Sequence, residues 1–394
     1  MPARHFDSHS VLLQPYVPGG RTVLDGIVVS TFREPDHLEA ALRLGAGLGT
    51  PVVLMCSHDA VADLVADKVR SVAGVSAVVV ELPVETDPRF TFLETSQRGK
   101  ERPSTHGNLS SKRNLGLLLG QLAGWRTVIF LDDDICGLET NAVQSAAKAL
   151  SHHAAVGMPA VDFPDNSVVC HANRRASRRQ DVFVSGSALA VDLAEAETFF
   201  PEIYNEDWLF LAPLLDRKAV SAFGSVSQLG YAPFEDISRA GDQEFGEVVA
   251  EGLVGYLHSA ELNPLPKIDY WKAFLESRSR FISHAMLGCE AKAGSDEEAG
   301  AAVSALKSAQ EALARIEADV VEDYVAAWSR DLVAWRSYMR THSPVNDLTD
   351  AMKYLGLRGE FIPARRHPRP PERSGKDHDR RPPNPAQTQR LCPE

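Results

Sequence analysis

"VIFLDDDICGL", residues 128–138, runs four apolar residues straight into three aspartates. A short, uninterrupted apolar run is the pattern of a strand buried on both faces. Three adjacent carboxylates repel one another, so their place at the end of such a strand calls for something they hold. On an extended chain, side chains one residue apart point to the same side. Asp132 and Asp134 therefore converge on one object, and Asp133 turns to the opposite face, where its role is structural. A hard divalent cation bridging phosphate oxygens suits that convergence, since Mg²⁺ is commonly held by one or two carboxylates plus substrate phosphates.

Outward from this stretch, apolar runs alternate with amphipathic segments. "TVLDGIVVS", "PVVLMCS" and "GVSAVVVEL" read as strands. "PDHLEAALRLGAGLG", "DAVADLVADKVRSV" and "NLSSKRNLGLLLGQLAG" read as the helices between them, the first with Pro35 early and glycines at its end. This alternation predicts an α/β fold: a mainly parallel twisted sheet flanked by helices. Ligands of such sheets bind beyond the carboxyl ends of the strands, and the three aspartates sit at one such end. Beyond residue 266 the pattern becomes helical, with no strand expected. The expected divisions are an N-terminal leader over 1–21, the α/β domain over 22–265, a helical extension over 266–360, and a disordered Pro/Arg-rich tail over 361–394. Residues 84–108 read as a long polar loop and 171–180 as a basic loop, with Arg174, Arg175, Arg178 and Arg179, before a strand.

In these features the chain resembles the GT-A glycosyltransferases, especially the large family 2 group. A strand ending in Asp-x-Asp after a helix carrying "SKRN" matches the donor site of that group. "IVVSTFREPDHL" resembles its first strand and nucleotide loop, "VSGSALAV" the strand lining the donor sugar, and "YNEDWLFLAPLL" the Glu-Asp motif opening the acceptor-side helix. The resemblance spans roughly residues 22–260 and implies a GT-A fold. It implies transfer of a sugar from a nucleotide-diphosphate sugar, UDP- or GDP-linked, to an acceptor hydroxyl, with a divalent metal, Mn²⁺ or Mg²⁺, as cofactor.

The resemblance places donor-binding roles on Ser30, Arg33, Glu34, Ser57, Asp59, Arg113, Asn114, Asp132, Asp133, Gly186 and Ser187. It places Asp134 and Asp132 on the metal, with Asp132 also against the ribose or donor sugar. It completes that set with His258, because some GT-A enzymes use a His downstream of the acceptor helix. Asp207 becomes the general base that deprotonates the acceptor, beside Glu206, and the expected outcome is inversion. Plain alternatives stand beside each role. Lys112 and Arg113 also suit a solvated helix face. Ser57 and Asp59 suit turn capping, Gly186 a close-packed strand, and Glu206 and Asp207 a helix dipole. Trp208 suits a buried anchor.

Composition narrows the functions. With 44% hydrophobic and 24% charged residues, the 394-residue chain can build a sizeable core. A net charge of −12 argues against a general nucleic-acid binder. The five cysteines, Cys56, Cys136, Cys170, Cys289 and Cys392, lack zinc-site spacing and suit a reduced, cytoplasmic protein. No run approaches the roughly 20 apolar residues that span a bilayer. Two other functions compete: a phosphatase of the HAD type, whose nucleophile also follows a strand in an Asp-x-Asp motif, and a degenerate domain that binds a nucleotide sugar without turnover. "GAGLGT" is not a dinucleotide fingerprint, because it follows a helix instead of opening one.

Overall fold

The central strands are β1 (Gly26–Thr31), β2 (Val52–Cys56), β3 (Ala77–Glu81) and β4 (Thr127–Asp132), in the computed structural model, which describes residues 3–20, 23–99, 108–163, 167–181 and 183–365. All four run parallel, with β1 between β2 and β4. Among the described residues the further strands are β5 (Ile135–Cys136), β6 (Ala155–Gly157), β7 (Ala188–Asp192), β8 (Val220–Ala222), β9 (Ser227–Gln228) and β10 (Gly359–Ile362). The main sheet has eight strands in the order β10-β3-β2-β1-β4-β7-β6-β8, and β5 pairs separately with β9. Pairings β4–β7, β6–β7 and β3–β10 are antiparallel, so a parallel centre carries reversed strands on both flanks.

The strands read as apolar runs because both faces are covered. Val28, Val53, Val78 and Phe130 enter one core, while Ile27, Leu54, Val79 and Ile129 enter the other. Each such side chain, fully buried, contributes roughly 1.5–3 kcal/mol. The second core is closed by the helices Glu39–Leu48, Ala62–Ser71 and Thr140–Ala149. The first is closed by the helix Leu109–Leu122, whose Lys112, Arg113 and Asn114 are all buried, in place of the solvated face. Strand order reverses between β1 and β4, the switch point where open α/β sheets bind ligands.

Three expected divisions are corrected. Residues 3–20 do not form a separate leader: His9 is buried, and Gln14 pairs with Ser221 beside β8. The helices Ile268–Glu290, Glu297–Leu313 and Ala318–Arg340 share the first core with the sheet, through buried Trp271, Leu306 and Trp328 respectively. The region beyond them is not wholly helical or disordered either. β10 adds to β3, because Ile362 finds an apolar place in the second core. The rest of the expected tail, residues 366–394, lies outside the described residues.

Two local readings also change. Residues 168–175 form a helix, capped by Ser167 on the Cys170 N–H, where a basic loop was expected. The strand expected from residue 181 begins only at Ala188, so Gly186 precedes it. The polar loop gains a helix, Glu94–Gly99, whose first N–H groups are accepted by Asp331 of the extension at 2.8 Å. Residues 100–107 of that loop lie outside the described residues.

Candidate active site

A cavity of about 480 Å³ opens at the carboxyl ends of β1 and β4. Ser30, Arg33, Asp59, Arg113, Asp132, Asp133, Asp134, Glu206 and Asp207 all line it. Ser30 and Asp132 are register partners across β1 and β4, which fixes the two strand ends side by side.

Each aspartate of the triplet has a distinct job. Asp133 folds back onto the turn after β1. Its Oδ2 accepts hydrogen bonds from Thr31 Oγ1 (3.1 Å), Phe32 N (2.7 Å) and Arg33 N (2.9 Å). Asp134 Oδ2 accepts from Arg33 Nη2 at 3.1 Å and Gln228 Nε2 at 3.3 Å. Arg33 Nη1 also donates to Asp133. Both oxygens of Asp132 accept from Arg113 Nη2, at 2.8 and 3.0 Å. Arg113 Nη1 reaches across to Glu206, so one buried guanidinium joins the end of β4 to the start of the helix Glu206–Asp216.

Charge in this cluster is set by burial and by neighbours. Burial opposes the Arg113 charge, but Asp132, Glu206 and Asp207 outweigh it and raise its pKa. Burial likewise opposes Arg33, and Asp134 with Asp133 raises it. Burial pushes the Glu206 carboxyl up against the pull of Arg113, and Asp207 adds to the rise. Behind the triplet, burial lowers Lys112 to about 7, although Asp133 opposes the shift. The Lys112 ammonium donates to Thr31 O at 2.6 Å and lies 3.3 Å from the centre of the Phe32 ring.

Asp207 stands on the opposite wall, at the start of its helix. Its Oδ2 accepts from Gly186 N at 2.6 Å and its Oδ1 from Trp208 N at 2.8 Å. The residue before Glu206, Asn205, holds a left-handed backbone with φ 62°. Backbone strain of this kind costs about 1–3 kcal/mol and persists where surrounding contacts impose it. Here the side chain of Asn205 is tied to Glu247 at 2.7 Å.

Six expected site residues do not line the cavity. Asn114 is occupied by the backbone of Phe200, donating to its carbonyl at 2.7 Å and accepting from its N–H at 2.8 Å. Ser57 donates to Asn108 at 3.2 Å. Glu34 is exposed at the start of a short 3₁₀ turn. Gly186 and Ser187 act through their backbones, on Asp207 and on the Asp132 N–H. His258 faces elsewhere: its Nε2 lies 3.0 Å from His9 Nδ1, and its ring stacks on Phe6. It sits past the end of the helix Ser238–Tyr256, and burial beside His9 lowers its pKa to about 4. The basic cluster does not line the cavity either; Arg175 pairs with Asp296 and Glu298, and Arg179 with Asp181.

Two carboxylates at a strand end, with a Gln amide beside them, are hard oxygen donors suited to Mg²⁺ or Mn²⁺. Arg33, which now sits on Asp134, has a side chain 44% exposed, so a cation at Asp134 would displace a solvent-facing group and leave buried Arg113 in place. The donor set therefore fits the expected ion. Among the described residues, Cys170, Glu247 and Glu251 form a tighter group, with ligand atoms within 4.8 Å. Arg278 and His9 already answer those charges.

The cavity also draws in residues that the sequence reading passed over. Ser167, Cys170, Glu247 and Glu251 line it. Their signal was present: Glu244, Glu247 and Glu251 recur at helical spacing in an otherwise apolar segment, where all three are buried. Among the described residues no helix is long and apolar enough to cross a membrane.

No family model and no curated protein matches the chain. Among solved structures it is similar to a mannosyltransferase from Pyrobaculum calidifontis in complex with GDP-Man and Mn²⁺, at 16% identity over 81% of this chain and 90% of that one, with a TM-score of 0.41. A TM-score of this size does not establish a shared fold, so the site residues alone carry the functional reading.

Proposed function

We propose that the chain is a GT-A glycosyltransferase that moves a sugar from a nucleotide-diphosphate sugar, UDP- or GDP-linked, to an acceptor hydroxyl with inversion. One observation carries the reading: Asp132 closes a central parallel strand, Asp134 follows in the turn beyond it, and both share a cavity with Arg33, Arg113 and, on the facing helix, Asp207. The leaving group is a nucleoside diphosphate, whose oxygens gain negative charge as the glycosidic bond breaks. Fixed cations at that point stabilise the transition state without reorganisation. Arg33, in reach of the triplet and partly exposed, can turn to such a phosphate. Arg113 holds Asp132 and Glu206 in place. Ser30, near the end of β1, and Asp59, past β2, would face the nucleoside. Asp134 and Asp132 would hold a divalent cation, which when bound supplies charge neutralisation to the diphosphate. Asp207 accepts the proton of the acceptor hydroxyl.

The phosphatase alternative would make Asp132, whose oxygens accept from Arg113, the nucleophile. A test separates the readings. The protein is incubated with UDP-glucose, UDP-galactose, GDP-mannose and p-nitrophenyl phosphate, with Mn²⁺ or EDTA. Metal-dependent release of diphosphate from one donor supports the transferase. Hydrolysis of the phosphomonoester alone overturns it in favour of the phosphatase, and donor binding without turnover in favour of a sensor.

A further inference from the structure

The helix Ser238–Tyr256 carries three buried carboxylates at helical spacing, two of them toward a single buried guanidinium. Arg278 bonds to Glu244 at 2.8 and 3.0 Å and approaches Glu247 Oε2 to 3.0 Å. Glu251 Oε2 lies 3.2 Å from His9 Nε2 and 3.5 Å from His5 Nδ1. Arg278 and Glu244 are fully buried and do not reach the cavity, but Glu247 and Glu251 form part of its wall. Glu247 Oε2 is buried and, despite the nearby guanidinium, accepts no hydrogen bond. Burial works against the Glu251 charge, but His5 and His9 hold its carboxyl down at about 2.

This wall lies beside Asp207. Asn205, two residues before it, donates to Glu247. Trp208, one residue after it, packs edge-on against His9, which in turn contacts Glu251. Arg113 approaches the same helix start from the triplet's side through Glu206. Asp207 therefore stands between the Arg113–Glu206 pair on the triplet's side and the wall of Glu247 and Glu251.

We propose that Glu247 and Glu251, with Trp208 as an apolar face, bind the acceptor, and that the acceptor is a neutral polyhydroxylated molecule, a sugar or a polyol. The proposal rests on the glycosyltransferase reading. Carboxylates accept hydrogen bonds from hydroxyl groups, and such charge-assisted bonds are the strong ones. Two acceptor hydroxyls engaged in this way would hold a third against Asp207. A phosphate or carboxylate on the acceptor would meet like charge in a low-dielectric wall. The cation on the same helix, Arg239, lines the cavity eight residues before Glu247, about 12 Å along the axis. Arg278, the guanidinium at the wall, is fully buried against Glu244 and Glu247 and does not reach the cavity.

The intact protein, with whichever nucleotide sugar it turns over, is offered methyl α-mannoside, methyl α-glucoside and glycerol. These are compared with mannose 6-phosphate, glucose 6-phosphate and glycerate. The expected result is transfer to a neutral acceptor with kcat/KM at least about tenfold above its anionic counterpart. Equal or better use of the anionic partners overturns the proposal. Glu247→Gln and Glu251→Gln should each raise the acceptor KM about tenfold or more, and raise it more than the donor KM. Folded variants, checked by melting temperature, that keep the acceptor KM within about twofold overturn it as well; if a variant does not fold, the acceptor series decides alone. Donor that is neither bound nor turned over would overturn the transferase reading itself, a failure recognisable before any acceptor is added.

Discussion

Gly186 lies against the guanidinium of Arg113. A Cβ on Gly186 would stand 2.5 Å from Arg113 Nη1 and 2.6 Å from Cζ. The Gly186 N–H meanwhile donates to Asp207. One small residue thus spaces the cation that serves Asp132 and Glu206 from the carboxylate proposed as base. Gly186→Ala must push the guanidinium off its partners or move the Gly186 backbone away from Asp207. The expected cost is about 1–3 kcal/mol of stability, as for other overpacked sites, with donor turnover down at least about tenfold. Urea denaturation and diphosphate release measure the two. A variant as stable and active as the parent would show that Arg113 relocates freely.

Lys112 makes stability depend on pH. Its ordinary pKa of 10.5 falls to about 7 on burial. Between these values the unfolded chain carries the proton and the folded chain does not. Unfolding then takes up a proton, so folded stability rises with pH across the window from about 7 to 10.5. Below it, both states hold the proton and the gain is absent. The slope from this residue is at most about 1.4 kcal/mol per pH unit. Lys112→Met removes it. Denaturation of both proteins at pH 7 and pH 9 should show the parent gaining stability relative to the variant. Parallel behaviour would mean that Lys112 keeps an ordinary pKa.

β10 should matter to the fold despite its place far along the chain. It covers the edge of β3, buries Ile362 and brings Glu360 to Arg70. A chain ending at Tyr354 loses the strand and exposes the β3 edge. A chain ending at Arg365 keeps it. The first truncation should lower stability by about 2–4 kcal/mol, from one buried Ile and several ladder bonds. The second should hold the melting temperature of the full chain. Equal melting temperatures for the two truncations would show that β3 needs no cover.

Much of the centre was legible because it follows local rules. The alternation of apolar runs and helices marks β1 to β4. The side-to-side alternation expected of "LDDD" does not carry through, because β4 ends at Asp132 and the chain turns at Asp133 and Asp134, where Arg33 bonds to both carboxylates. Three features were hidden for distinct reasons. β10 is four residues long, and its place depends on an open sheet edge nearly 300 residues earlier, which no local pattern encodes. Asn114 carries the same polar side chain whether it meets a ligand or the Phe200 backbone. His258 was misplaced because no local pattern gives its direction; contact with His9 and Phe6, from a segment read as a leader, turns it away. The acidic face of the helix Ser238–Tyr256 was visible as spacing, but its buried Arg278 comes from a helix that looked like a separate extension.

The role proposed for Asp207 predicts the stereochemical course. If it is the base, the acceptor oxygen attacks the anomeric carbon from the side opposite the diphosphate, and one displacement inverts the configuration. Asp207→Asn removes the proton acceptor and should lower transfer by roughly 10²–10⁴-fold. Its structural cost can be stated separately. Both carboxylate oxygens accept backbone N–H bonds, from Gly186 and Trp208. An amide must turn its NH₂ toward one of those donors, which costs about 1–3 kcal/mol. Denaturation of the variant therefore accompanies the kinetics, and a fold kept at assay temperature leaves the rate loss to chemistry. Glu206→Gln is the control on the same turn. Its amide oxygen can still accept from Arg113, so its rate should fall less than that of Asp207→Asn. NMR of the first-formed product then reads the outcome directly. An α-linked donor should give a β-linked product. An α-linked product, together with Asp207→Asn that still turns over, would move the chain to retention and leave Asp207 as the brace between Gly186 and Trp208.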